Sequence, residues 1–157
     1  MNFDDFGANM APLKILLDAI PNKDDIVVVS PDAGGVGRAK EFFNKFEAMG
    51  YKNVGFAMVS KERKVANEVG NVVLIGDVKG KSVILIDDMV DTAGTICASA
   101  KLLKEEHGAD KIFAFCTHGL FNGPAGDRIA NSAFTKIITT DSMPVSEEFK
   151  QKCGSKY

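Results

Sequence analysis

Apolar residues gather in short unbroken runs along this chain: Ile26 to Ser30, Val54 to Val59, Val72 to Ile75, Val83 to Ile86 and Ile112 to Thr117, with a weaker run at Ile137 to Thr140. They are rich in Val and Ile and do not alternate with polar residues, which is how strands buried on both faces read. Helical stripes lie between them. Leu13, Leu16, Leu17 and Ile20 recur at i, i+3, i+4, i+7, with Pro12 acceptable in a first turn. Val36, Ala39, Phe43 and Phe46 form a second stripe that Gly50 can cap. Ile96, Ala100 and Leu103 form a third, ending at His107-Gly108, and Pro124 opens a short helix through Ile129. Strands alternating with helices predict an α/β fold, a mostly parallel sheet flanked by helices, in one domain over residues 1–157. Lys79-Gly80-Lys81 falls between two strand runs and predicts a hairpin turn with one antiparallel pairing.

Composition narrows the class. At 157 residues and 45% hydrophobic, the chain suits a single domain with a real core. Nineteen Lys and Arg against 21 Asp and Glu give a net charge of −2, which argues against nucleic acid as a partner but leaves room for a local basic cluster that grips phosphate. No apolar run approaches the roughly 18 residues of a membrane span. The acidic opening MNFDDF does not read as a signal or transit peptide. Cys97, Cys116 and Cys153 are odd in number and lack CxxC spacing, so a reduced, cytoplasmic protein is expected. Cys97 and Cys116 fall inside elements and read as core thiols.

In such a sheet, ligands collect at the carboxyl ends of the strands. The segment after the Val83 run carries the most specific chemistry. Asp87 and Asp88 end a buried strand, where paired carboxylates repel unless they meet hydroxyls or a cation. Asp91-Thr92-Ala93-Gly94-Thr95 then runs into a helix start, whose outward N–H groups and dipole suit a phosphate monoester. Acids for a diol next to a cradle for phosphate describe a sugar-phosphate pocket. The plainer alternative is an ordinary Asp or Thr helix cap, though a cap needs one acid rather than three.

The loop Asp32-Ala33-Gly34-Gly35 follows the first strand and suits close approach to an anion, although a plain strand-to-helix turn has the same composition. It fails the dinucleotide fingerprint, since Lys40 stands where the third glycine belongs. Asp32 beside an anion site suits a bridging Mg²⁺. Lys61, Arg63 and Lys64 follow the second strand without an apolar stripe behind them, and read either as a mobile basic loop that closes over a transferring phosphoryl group or as a solvated charge run. Gly76 to Ser82 is one residue short of Walker A spacing and leads into a strand, so it is set aside. His118 ends a strand on the same edge, where proton or metal chemistry and a structural bond to loop backbone are both open.

Together these stretches carry a resemblance. Val83 to Thr95 resembles the phosphoribosyl pyrophosphate (PRPP) motif of type I phosphoribosyltransferase folds, which are Rossmann-like. SPDAGG at Ser30 to Gly35, KERKVANEV at Lys61 to Val69 and THGLFNGPA at Thr117 to Ala125 are similar to the C-terminal half of the ribose-phosphate pyrophosphokinase family, the PRPP synthetases, from about Asp4 to about Cys153. The resemblance implies transfer of diphosphate from ATP to C1 of ribose 5-phosphate, yielding PRPP and AMP, with Mg²⁺ as cofactor. It implies ribose 5-phosphate contacts from Arg63, Asp87, Asp88, Asp91, Thr92, Ala93, Gly94 and Thr95. It further implies a pyrophosphate loop at Asp32, Ala33, Gly34 and Gly35, Mg²⁺ on Asp32, and catalytic roles for Lys61 and Arg63.

Synthetases of this family are about twice as long, with an N-terminal half that supplies most ATP contacts. That half is expected to be absent here, with Phe3 to Ile20 as the connection into the second half and the chain stopping at Cys153 to Tyr157 short of a last strand and helix. The isolated chain is therefore expected to be an inactive fragment of a protein that is a homo-oligomer at full length. Two other readings stay open: a stand-alone phosphoribosyltransferase, against which no spare base-binding hood is found, and a non-catalytic regulatory homologue, against which Lys61 and Arg63 are intact.

Overall fold

The structure is a computed structural model that describes residues 11–23, 25–62 and 71–157. A six-stranded sheet runs in the order β3-β2-β1-β4-β5-β6. The strands are β1 Ile26–Ser30, β2 Val54–Glu62, β3 Asn71–Ile75, β4 Ser82–Val90, β5 Lys111–Gly119 and β6 Lys136–Thr139. Helix α1, Ala11–Ala19, precedes β1; α2, Val36–Ala48, joins β1 to β2; α3, Gly94–Glu105, joins β4 to β5; and α4, Ala125–Ala130, joins β5 to β6. All pairings are parallel except β2 with β3. Among the described residues, no helix is long and apolar enough to cross a membrane.

Alternation along the strands splits the core in two. Val83, Leu85, Ile112, Ala114 and Cys116 pack with Ile96, Ala100 and Leu103 of α3 and Ile129 of α4. Ile84, Ile86, Phe113 and Phe115 face the other way, onto Leu16, Leu17 and Ile20 of α1 and Ala39, Phe42 and Phe46 of α2. The central strands are buried on both faces, as their unbroken apolar runs require.

Three expectations are corrected. Lys79-Gly80-Lys81 forms a turn, with the Lys81 N–H donating to Val78 O at 3.1 Å, but it joins no hairpin. The antiparallel partner of β3 is β2, and the turn carries the chain from the sheet edge back to its centre, where β4 pairs with β1 and β5. Strand β3 is not buried on both faces: it is the edge, and Val72, Val73 and Ile75 are exposed. On α2, Phe42 rather than Phe43 enters the core. Adjacent helical residues point about 100° apart, so one Phe must leave, and Phe43 instead meets Phe56 edge-on with ring centroids 6.1 Å apart.

An element without a counterpart in the hydrophobic pattern closes the chain. Ser146 caps α5, Glu147–Cys153, its hydroxyl accepting from the Phe149 N–H at 3.2 Å. Phe149 stacks on Phe121 with centroids 4.0 Å apart, and Tyr157 meets both rings edge-on. This trio pins the segment after β5 against the body of the domain. Gly119 makes it possible, since a Cβ there would lie 2.3 Å from the Phe121 ring.

Candidate functional site

The strand order reverses between β1 and β4, and a cleft of about 280 Å³ opens at their carboxyl ends. Asp32, Asp87, Met89 and the stretch Val90 to Ile96 line it. This is where a parallel open sheet presents a crevice. The structure therefore brings together Asp32, Asp87, Asp91, Thr92, Ala93, Gly94 and Thr95. Asp87 and Asp88 do not end their strand: β4 continues to Val90, with Asp87 in register with Cys116.

The helix-cap alternative fails on geometry. The residue before α3 is Ala93, in the left-handed region at φ 60°, and no side chain caps the helix. A left-handed non-glycine costs about 1 kcal/mol or more and needs support from its surroundings. Support comes from behind the loop. Val90 O accepts from the Leu120 and Phe121 N–H groups and Asp91 O from the Asn122 N–H, while Ala93 O makes the first bond of α3 itself, accepting from the Cys97 N–H. Thr92 O accepts from Arg128 Nη1 at 2.9 Å, and Asn122 Nδ2 donates to Asp91 Oδ1 at 2.8 Å. With these carbonyls engaged on the far side, the cleft wall at the start of α3 is left rich in N–H groups, the arrangement an oxyanion needs. Gly94 admits the brace, since a Cβ there would come within 3.2 Å of Arg128 Nη1.

The two acids differ sharply. Asp87 is pushed up to about 7 by burial first, then by the neighbouring carboxylates of Asp88 and Asp32. Burial would raise Asp88 too, but its hydrogen bonding with Asp87 and the Arg38 guanidinium hold it below the ordinary value. Arg38 Nη2 lies 2.9 Å from Asp88 Oδ2, and Nη1 lies 3.8 Å from Asp87 Oδ1. Asp87 thus holds its proton more tightly than an ordinary carboxyl, next to the carboxylates of Asp88 and Asp32 and at the far side of the Arg38 guanidinium.

Asp32 closes the glycine turn: its Oδ1 accepts from the Gly35 N–H at 2.9 Å, capping a single 3-10 turn over Ala33–Gly35. Among the described residues no group of three or more His, Cys, Asp or Glu could hold a metal ion. Mg²⁺, however, needs only one or two carboxylates when phosphate oxygens complete its shell. Asp32 and Asp87 both line the cleft and are the carboxylates that could hold such an ion.

The backbone of Lys61 ends within β2, paired with Val72. Its side chain, and all of Arg63 and Lys64, lie outside the described residues, as does the rest of the basic loop. Among the described residues His118 joins no metal cluster, and it reaches backbone only through a hydroxyl: its Nδ1 lies 2.8 Å from Ser142 Oγ, and that hydroxyl donates to Thr117 O. Cys116 is buried, and burial pushes its thiol well above the ordinary range.

Sequence reasoning missed Arg38, Asn122 and Arg128. Each lies in a segment already singled out or next to one, but nothing in spacing tells which distant partner an Arg or Asn will reach.

Comparison with known proteins adds to this geometry. A family described as "Phosphoribosyl synthetase-associated domain" matches residues 53–156. A ribose-phosphate pyrophosphokinase of Marinomonas sp. (strain MWYL1) is 43% identical over 142 residues, covering 89% of this chain and 43% of that protein. Phosphoribosylpyrophosphate synthetase from Mycobacterium smegmatis superposes with a TM-score of 0.73 at 35% identity, over 87% of this chain and 42% of that one. Orotate phosphoribosyltransferase from Aeropyrum pernix shares the fold, with a TM-score of 0.60 at 17% identity, covering 98% of this chain and 78% of that one. The chain thus spans 43% and 42% of the two synthetase relatives.

Proposed function

Because the chain belongs to the phosphoribosyl synthetase-associated domain family, we propose that it forms the ribose 5-phosphate side of a ribose-phosphate diphosphokinase. In this reading ATP gives its β,γ-diphosphoryl group to the C1 hydroxyl of ribose 5-phosphate, making PRPP and AMP. The observation that carries it is the braced loop Asp91 to Thr95, whose carbonyls are tied back while the start of α3 meets the cleft uncapped. The 5-phosphate binds there through backbone N–H groups, with the Thr92 and Thr95 hydroxyls as further donors. Asp87, one strand turn away, accepts from the ribose hydroxyls.

The glycine loop Asp32 to Gly35 faces the diphosphate, and Asp32 would hold Mg²⁺. When bound, that ion supplies positive charge between phosphate oxygens and neutralises the diphosphate. Lys61 and Arg63 stabilise the charge that develops on the transferring group. ATP is placed by the remaining length of the relatives, so residues 1–157 act as one half of a two-domain enzyme that is cytoplasmic and homo-oligomeric as a whole. Transfer of this kind depends on positioning and charge neutralisation rather than covalent chemistry by the protein. The chain alone therefore makes no PRPP.

Titration calorimetry with ribose 5-phosphate and with ribose tests the reading. Weak binding of the phosphate ester and much weaker binding of ribose are expected. Equal affinity for the two would remove the phosphate cradle.

A further inference from the structure

The sulfur atoms of this chain differ in access. Cys116 and Cys153 are buried and Cys97 is half-buried. Burial raises all three thiols above the ordinary value, Cys97 to about 11. At neutral pH they stay protonated, and a protonated thiol is a poor nucleophile toward peroxide. The accessible sulfur is thioether. Among the described residues, Met49, Met89 and Met143 are the exposed methionines, at 41%, 49% and 38%. Met49 follows α2 and Met143 follows β6, and neither lines the cleft. Met89 stands in β4 two residues after Asp87 and does line it, together with the stretch Val90 to Ile96.

We propose that Met89 is an oxidation site through which a peroxide weakens the hold of the cleft on its anionic ligand. The loss of binding rests on the reading of the cleft as a sugar-phosphate site; the modification itself does not. A lone pair of Met89 Sδ attacks one oxygen of hydrogen peroxide. The O–O bond breaks as the S–O bond forms, and the hydroxide that leaves takes the proton of the transferred oxygen. Methionine sulfoxide and water result, the sulfur losing the two electrons that the peroxide gains. The product is polar and accepts hydrogen bonds without donating any. It enters a cleft of about 280 Å³ whose wall already holds Asp32, Asp87 and Asp91, small for a ligand pocket. A phosphate ester presents only acceptor oxygens to that wall. The sulfoxide oxygen therefore either faces the phosphate oxygens or takes N–H groups at the start of α3 away from them. The native thioether does neither, because its sulfur is a soft, weak acceptor.

The test treats the chain with hydrogen peroxide and compares the wild type, Met89→Leu and the Met49→Leu/Met143→Leu double variant, each with itself before and after treatment. Peptide mass mapping locates added oxygen among the six methionines, and calorimetry gives the affinity for ribose 5-phosphate. Oxidation should weaken binding by about tenfold in the wild type and in the double variant, the scale of one polar group set against a charged one. The same treatment should not shift the affinity of Met89→Leu. Methionine sulfoxide reductases of both epimer specificities, with a thiol reductant, should restore the wild type. Bound ribose 5-phosphate should slow oxygen uptake at Met89 and leave the rates at Met49 and Met143 as they were.

Met89 left unoxidised while Met49 and Met143 take up oxygen would overturn the proposal, and so would an equal loss of binding in Met89→Leu. A loss of binding that arrives with a collapsed thermal melt would make the effect one of unfolding and overturn it as well. A wild type that does not bind ribose 5-phosphate before treatment would fail the sugar-phosphate reading, while the order of oxygen uptake would still decide whether Met89 is the reactive sulfur.

Discussion

Gly94→Ala separates the stability of the phosphate loop from its use. The added Cβ would sit 3.2 Å from Arg128 Nη1, so the guanidinium must retreat by a few tenths of an ångström. Its 2.9 Å bond to Thr92 O then stretches or breaks. Losing a hydrogen bond from a charged donor costs about 1.5–3 kcal/mol when the bond is fully lost, and about 1 kcal/mol when it is only weakened. Alanine in place of glycine in the first turn of α3 returns up to about 1 kcal/mol of helix propensity. The two effects nearly cancel, and the melting temperature should move by only a few degrees.

Phosphate affinity has no such offset, because the direction of the Ala93 to Thr95 N–H groups depends on the Thr92 carbonyl being tied back. Ribose 5-phosphate should bind about tenfold more weakly, the equivalent of one misaligned donor to a charged oxygen. Ribose should be unaffected. Calorimetry and thermal melts on the same samples give both quantities, with Arg128→Ala as the matching variant that removes the brace without crowding the loop. Unchanged ribose 5-phosphate affinity in both variants would show that the loop holds its shape without Arg128, and the brace argument would be wrong.

Other outcomes follow from the same structure. Burial pushes Asp87 up to about 7 in the fold from the 3.8 of an ordinary carboxyl, so the folded state holds its proton more tightly and the stability this contributes is present at low pH and lost as pH rises through about 7. Asp87→Asn should therefore match the wild type near pH 4 and become the more stable of the two by pH 8 in thermal melts; a gap that widens toward low pH would contradict the sign. Phe121→Ala removes a ring stacked 4.0 Å from Phe149, and should destabilise the domain by about 3 kcal/mol in urea, whereas a loss under 1 kcal/mol would show that α5 is held without it. In a full-length synthetase carrying this half, Lys61→Ala should lower turnover by ~10²-fold or more with little change in ribose 5-phosphate affinity; retained turnover would take Lys61 out of catalysis. Cys116, wholly buried with a raised thiol, should resist alkylation in the native state, and rapid labelling there would contradict its packing.

The parallel sheet was legible because its strands are long enough and apolar enough to be recognised without partners. Residues 26–30, 83–86 and 112–117 read as doubly buried and are so. Strand β3 read the same way, yet Val72, Val73 and Ile75 are exposed, because its apolar character does not reveal its place at the edge. The hairpin expected at Lys79 to Lys81 failed for a related reason. A turn sequence fixes a local reversal, but which strands pair depends on what already lies between them, and β1 and β2 do. Phe42 against Phe43 is decided by helix rotation relative to the sheet, a tertiary quantity. Helix α5 rests on a cap and on three aromatic contacts with distant segments rather than on a long stripe.

For the site, the division runs between groups that touch the cleft and groups that hold those in place. Asp32, Asp87 and Asp91 to Thr95 could be singled out because loops at strand ends, acids beside small residues and a helix start each carry a local chemical reason. Arg38, Asn122 and Arg128 could not, since each works by satisfying an acceptor that is distant in the chain: Asp88, Asp91 and Thr92 respectively. Their effect is nevertheless what turns composition into chemistry. A helix start next to a left-handed Ala93 presents its N–H groups only while the preceding carbonyls point away, and the two adjacent carboxylates differ because they sit unequally beside one guanidinium, Arg38 lying 2.9 Å from Asp88 and 3.8 Å from Asp87. Positioning of this kind is set by groups of fixed geometry rather than by the ligand, so the loop and the acid pair are organised before any sugar phosphate arrives. Lys61, to which the proposed function gives the transferring group, lies instead near the end of β2, its backbone paired with Val72 of the edge strand β3. In the proposed function the braced loop serves binding and Lys61 serves the transfer, which is why Lys61→Ala and Gly94→Ala are expected to fail in different assays.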